Sequence, residues 1–180
     1  GVKQVARIEN GIVMLKLIVI IIFIAVGATA IHPDNYVPFI PAHKAGTHFG
    51  GLTGILAGAS QIFIAYVGFD AIAANTAETI NPQKTMPKGL LGTLFLGTGF
   101  FVLVSLVLVG MFKYSIYAGN AEPAAFALRK AGHYFTANLL SLVAIIGIFS
   151  ALIGILLASS RLIYSFGRDG LLSSKLGKIN

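Results

Sequence analysis

Residues 11–31 form an apolar run of 21 residues interrupted only by Lys16. A helix of that length crosses ~30 Å of hydrocarbon. In lipid a backbone N–H or C=O finds no water, so such a segment has to bond internally, as a helix. Comparable runs follow at 52–77, 89–112 and 139–164. The expectation is therefore an all-α integral membrane architecture with four transmembrane helices. Composition agrees: 56% of the residues are hydrophobic and 11% are charged, against roughly 25% charged in a soluble domain. So apolar a chain, with scattered charges, is no nucleic-acid binder.

The connections follow from turn chemistry. Residues 32–51 hold Pro33, Pro38 and Pro41 and read as a loop, with Tyr36 and Phe39 suited to the membrane interface. Asn81-Pro82-Gln83-Lys84 reads as a turn, and Pro87 suits the first turn of the next helix. Residues 113–138 are a second polar connection, with a short helix expected over 122–131. Lys3 and Arg7 precede an apolar run too long for a secretion signal. With residue 1 in the cytoplasm, that side carries Lys3, Arg7, Lys84, Lys88, Arg161, Arg168, Lys175 and Lys178; the other carries Lys44, Lys113, Arg129 and Lys130. The excess of cations puts both ends of the chain in the cytoplasm. Gly50, Gly54 and Gly58, and likewise Ser150, Gly154 and Ala158, are spaced to form small faces for close helix packing.

Few residues can carry chemistry. Asp70 lies deep in the second run, where a carboxylate is costly and reads as functional by default. Gly68, two residues earlier, is a place where the helix can open. Opened backbone at that depth survives only inside protein or along a cavity. Tyr66 and Phe69 are either packing aromatics or part of a pocket wall. Lys16, five residues into its run, has two readings. It either snorkels to the nearer interface, or faces the bundle interior and exchanges a proton during a cycle. Ser150 is a mid-membrane hydroxyl that either bonds back to its own helix or serves the site. His32, His43, His48 and His133 fall in loops without a metal-ligand spacing, and Gly97-Thr98-Gly99 inside a span is a very weak phosphate-loop signal. There is no cysteine. No serine–histidine, paired-carboxylate or phosphoryl-transfer set appears, so neither an enzyme nor a metal or cofactor is expected.

Tyr66-Val67-Gly68-Phe69-Asp70-Ala71-Ile72, continuing through Glu78, Asn81-Pro82-Gln83-Lys84 and Pro87, resembles the amino acid–polyamine–organocation permeases, most of all their cationic amino acid transporter branch. NGIVMLK at 10–16 is similar to that family's fifth helix, which carries a lysine there, and RLIYSFGRDGLL at 161–172 to the segment closing its eighth. The resemblance covers nearly the whole chain. It implies helices five to eight of a roughly twelve-helix secondary transporter with the inverted-repeat (LeuT-like) amino acid permease fold, whose sixth helix, the second here, is broken. It implies a substrate site at Ile64, Ala65, Tyr66, Val67, Gly68, Phe69 and Asp70. Carbonyls at the end of the first half-helix would receive the α-ammonium group, favoured by the negative end of the helix dipole. Asp70 would couple occupancy to gating, Lys16 would link transport to the proton gradient, and Ser150 would fall near the position facing that lysine. Ile64 stands where many members carry a large aromatic gate, and close relatives often have two acids where Ala77-Glu78 has one. The implied partners are an amino acid, cationic ones included, protons, the plasma-membrane bilayer and the permease's remaining helices, which would supply the other half of the site. Two other readings stand beside this: a four-span assembly or scaffold subunit, and an inactive permease fragment.

Overall fold

Among the described residues (2–66, 68, 81–168 and 170 of the computed structural model) five α-helices and no strand occur. They are α1 (Val2–Ala28), α2 (Gly51–Ile62), α3 (Pro82–Met111), α4 (Pro123–Lys130) and α5 (Tyr134–Arg168). Three helical stretches are long and apolar enough to cross a membrane: Arg7–Ala28, Pro82–Met111 and Tyr134–Gly167. The stretch Gly51–Tyr66 is a shorter apolar helix. The architecture is all-helical, as the apolar runs require.

The helices overrun the apolar stretches. α1 starts at Val2 and α5 at Tyr134, because a helix need not end where hydrocarbon ends. α3 starts at Pro82, which corrects the placement of Pro87. Asn81 sits at φ 51°, and its carbonyl accepts from the N–H groups of Lys84 (3.0 Å) and Thr85 (3.1 Å). Pro82, with φ already set, takes the first helical position. Pro87 falls in the second turn, where its missing N–H costs one helical bond.

Two compact units divide the chain. The first comprises Gly1–Tyr66 and Gly97–Gly147; the second comprises Val67–Leu96 and Ile148–Asn180. In the first, Phe23 of α1, Val107 and Met111 of α3, Ala125, Ala127 and Leu128 of α4, and Ala137 of α5 form one buried cluster. Gly27 permits the approach of α1 to α3: a Cβ there would meet Val107 and the Met111 sulfur. The last carbonyls of a helix lack intrahelical partners, and here the loops supply them. His32 N–H and Asn35 Nδ2 donate to Gly110 O (2.9 and 2.8 Å), Asn35 Nδ2 also to Met111 O (3.1 Å), and Tyr117 O–H to Leu108 O (2.6 Å). Tyr36 O–H reaches Leu106 O (2.8 Å). Burial pushes the Tyr117 hydroxyl up to about 12. Lys130 lies over the rings of Phe112 and Phe126. Arg129 meets Glu122 at 3.6 Å, with Ser141 bonded to both.

In the second unit, α3 begins on the Asn81 cap, and α5 carries Ser150, which is 3% exposed.

Candidate functional site

α2 is regular as far as Ile62 and then tightens into a 3₁₀ turn over Phe63–Tyr66. Two residues later Gly68 lies in a turn at φ +109°. That conformation suits glycine and is strained for a residue with a Cβ. A helix that tightens and then meets a left-handed residue does not continue as the same α-helix. The regular helix of the second apolar run therefore ends where the sequence placed its opening. Ile64 is 75% exposed, and Phe63, Ala65 and Gly68 are exposed too, so their side chains are available to other groups. Val67, Phe69 and Asp70, and the Glu78 of the motif, lie outside the described residues.

Tyr66, the last residue of the turn, is half-buried and tied to α3 twice. Its hydroxyl shares a hydrogen bond of 2.9 Å with the Thr98 hydroxyl. Its ring meets that of Phe101 edge-on, at 5.4 Å and 88°. Thr98 and Phe101 are three residues apart and so share one face of α3. Gly97-Thr98-Gly99 is thus helix interior, and its threonine serves Tyr66. Sequence reading missed this partner, because nothing local links residues 32 positions apart.

Lys16 is the second intramembrane polar group. Its aliphatic stem lies against Gly147 in α5: a Cβ on that glycine would come within 2.9 Å of Lys16 Cδ. Lys16 is half-buried, and among the described residues no ion pair involves it. The contact concerns the stem alone, which packs on α5 in either reading of this lysine. Gly147 escaped the sequence reading because a glycine within a span carries no chemical signature. Ser150 follows one turn along α5 and is described within the second unit.

The glycine faces need correction. Gly50 precedes α2 at φ +77°, and a Cβ there would strike the Ala42 and Pro41 carbonyls. A Cβ on Gly54 would lie 3.3 Å from His48 O, and one on Gly58 would meet open space. Gly50 and Gly54 therefore make room for the chain's own 41–49 loop, which His43 secures with a 2.9 Å bond to Thr53. The short helix expected over 122–131 occurs as α4, and His133 is half-buried rather than fully solvated.

The sequence matches the model of a protein family described as amino acid permease over residues 1–180. It is 52% identical over its whole length to 39% of the branched-chain amino acid permease BcaP of Lactococcus lactis. The methylthioribose transporter of Bacillus subtilis is 38% identical, with 37% of its length covered. The chloroplastic cationic amino acid transporter 9 of Arabidopsis thaliana is 34% identical, with 30% of its length covered. In each case the match covers all of this chain, which therefore spans between about a third and two fifths of these relatives.

Proposed function

This chain belongs to the amino acid permease family, and on that premise we propose that it is the central part of a proton-coupled secondary transporter of amino acids in the plasma membrane. The observation that carries the reading is the end of regular helix at Phe63–Tyr66 with Gly68 at φ +109°. The end of a helix presents carbonyls without intrahelical partners, at the negative pole of its dipole. An α-ammonium group fits both. Ile64, Ala65 and the residues through Asp70 are the proposed contacts. The substrate proposed is a branched-chain amino acid. The relative with 52% identity carries that name, whereas the cationic transporter shares 34%. Ile62, Phe63 and Ile64 add exposed apolar surface to the break.

Lys16 is the proposed proton carrier. Its stem packs on Gly147, and an ammonium on an apolar helix can alternate between two protonation states. Asp70 and Ser150 are proposed to act with it. Both ends of the segment are proposed to lie in the cytoplasm, on the distribution of cations.

The test uses the full-length protein carrying this segment, in proteoliposomes. Uptake of radiolabelled leucine under an imposed pH gradient is the expected result, with arginine as the competing substrate class. Lys16→Ala is expected to abolish gradient-driven uptake and to leave some exchange. Gradient-driven uptake that survives Lys16→Ala unchanged rejects the coupling role. Preference for arginine rejects the branched-chain assignment.

A further inference from the structure

We propose that Thr98 is a positioning residue for the substrate site: through its hydrogen bond to Tyr66 it fixes the last turn before the helix break to α3. The proposal rests on the site reading above and concerns what holds that site in place. Tyr66 is the end of the 3₁₀ turn, so its location sets where the carbonyls of Ile64 and Ala65 point. Two contacts fix it, the 2.9 Å bond to Thr98 and the edge-on packing on Phe101. Both come from one face of α3, a continuous helix of 30 residues. The far end of that helix is buried in the cluster of Phe23, Val107, Met111 and Leu128. α3 is therefore a stiff support, and the turn leans on it.

The chemistry makes the bond hard to give up. A hydroxyl drawn away from its partner at membrane depth finds little else to bond. A threonine can still bond back to its own helix and accept from Tyr66 at the same time. The Tyr66 hydroxyl is thus engaged with α3. Tyr66 takes part in the proposed site through its backbone, while its side chain holds the turn on α3.

The experiment compares Thr98→Val, Tyr66→Phe and the double variant in the full-length protein. Each single change removes one hydroxyl with little change of shape. Two readouts are taken: the melting temperature in detergent, and KM and kcat for radiolabelled leucine in proteoliposomes. Each single variant is expected to raise KM about threefold, and at most about twentyfold, with kcat less affected, which is the range of one interhelical hydrogen bond in a membrane. The double variant is expected to be no worse than the singles, in both readouts, because all three lack the same bond. Additive effects on melting temperature overturn the bond itself. Coupled melting temperatures with unchanged KM overturn the positioning role and leave a structural bond. A wild-type protein that takes up neither leucine nor arginine overturns the transport reading, and the positioning role with it, while the melting cycle still reports on the bond.

Discussion

Gly147 supports the sharpest test of the Lys16 assignment. In Gly147→Ala the new Cβ would lie 2.9 Å from Lys16 Cδ, about 0.5 Å short of ordinary van der Waals contact. What it meets is the middle of a flexible stem, the Lys16 Cδ and, at 3.7 Å, its Cγ. The lysine can therefore yield by a torsional adjustment, at a cost of order 0.5–1.5 kcal/mol. Fold stability should fall by about that much, toward the lower end of overpacking penalties. The ammonium at the end of the stem moves further than the carbon that is pushed. Misplacing a reacting group by about 1 Å can cost 10²-fold, so an ammonium shift of at least half that size is expected to cost gradient-driven uptake about tenfold or more. Exchange without a pH gradient should stay within about twofold, since it does not use the proton. The assay is leucine uptake by the full-length protein in proteoliposomes, with and without a gradient, for wild type, Gly147→Ala, Lys16→Ala and the double variant. In the Lys16→Ala background the glycine change should do nothing further. Equal loss of exchange and gradient-driven uptake, or a full additional loss in the double variant, would refute the reasoning.

Three further outcomes are expected. Gly27→Ala forces a methyl group against Val107 and Met111 in the α1–α3 contact, and should lower stability by about 1–3 kcal/mol, read as a lower melting temperature. Tyr117 has a folded-state value of about 12 against an ordinary 10.0, so the folded state keeps the proton that the unfolded state loses. Its contribution is full below pH 10 and declines as pH rises from about 10 to 12. Tyr117→Phe should make the fall of melting temperature over that window shallower. Glu122→Gln should shift the melting temperature little, because the Glu122–Arg129 pair is 3.6 Å apart and both side chains are well exposed.

The helices were legible because lipid leaves the backbone no alternative. The end of the regular second helix was legible as well: Gly68 pointed to it, and the chain tightens at Phe63 and turns left-handed at Gly68. Boundaries were less legible. Hydropathy marks where hydrocarbon ends, whereas α3 begins where the left-handed Asn81 carbonyl accepts from Lys84 and Thr85. Spacing misled at Gly50 and Gly54, since a four-residue repeat says that a face is small and not what fills it. Here the filler is the loop just before the helix. The direction of Lys16 was open because a lysine near the end of an apolar run can reach either way, and the glycine that its stem touches lies 131 positions later in the chain, invisible as chemistry.

These contacts place the functional groups on one support. Within the first unit α3 holds the turn that ends α2 through Thr98 and Phe101, and holds α1 through Val107 and Met111. α1 in turn carries Lys16. The proposed proton carrier and the backbone proposed to receive an ammonium group are therefore both referred to α3. The loops tighten that reference, since Asn35, Tyr36 and Tyr117 all bond to carbonyls in the last two turns of α3. Breaking a helix costs hydrogen bonds that only a well-defined partner can replace. Holding the end of α2 against α3 keeps its last carbonyls in one arrangement, which is what the proposed site needs if a ligand is not to order it on binding.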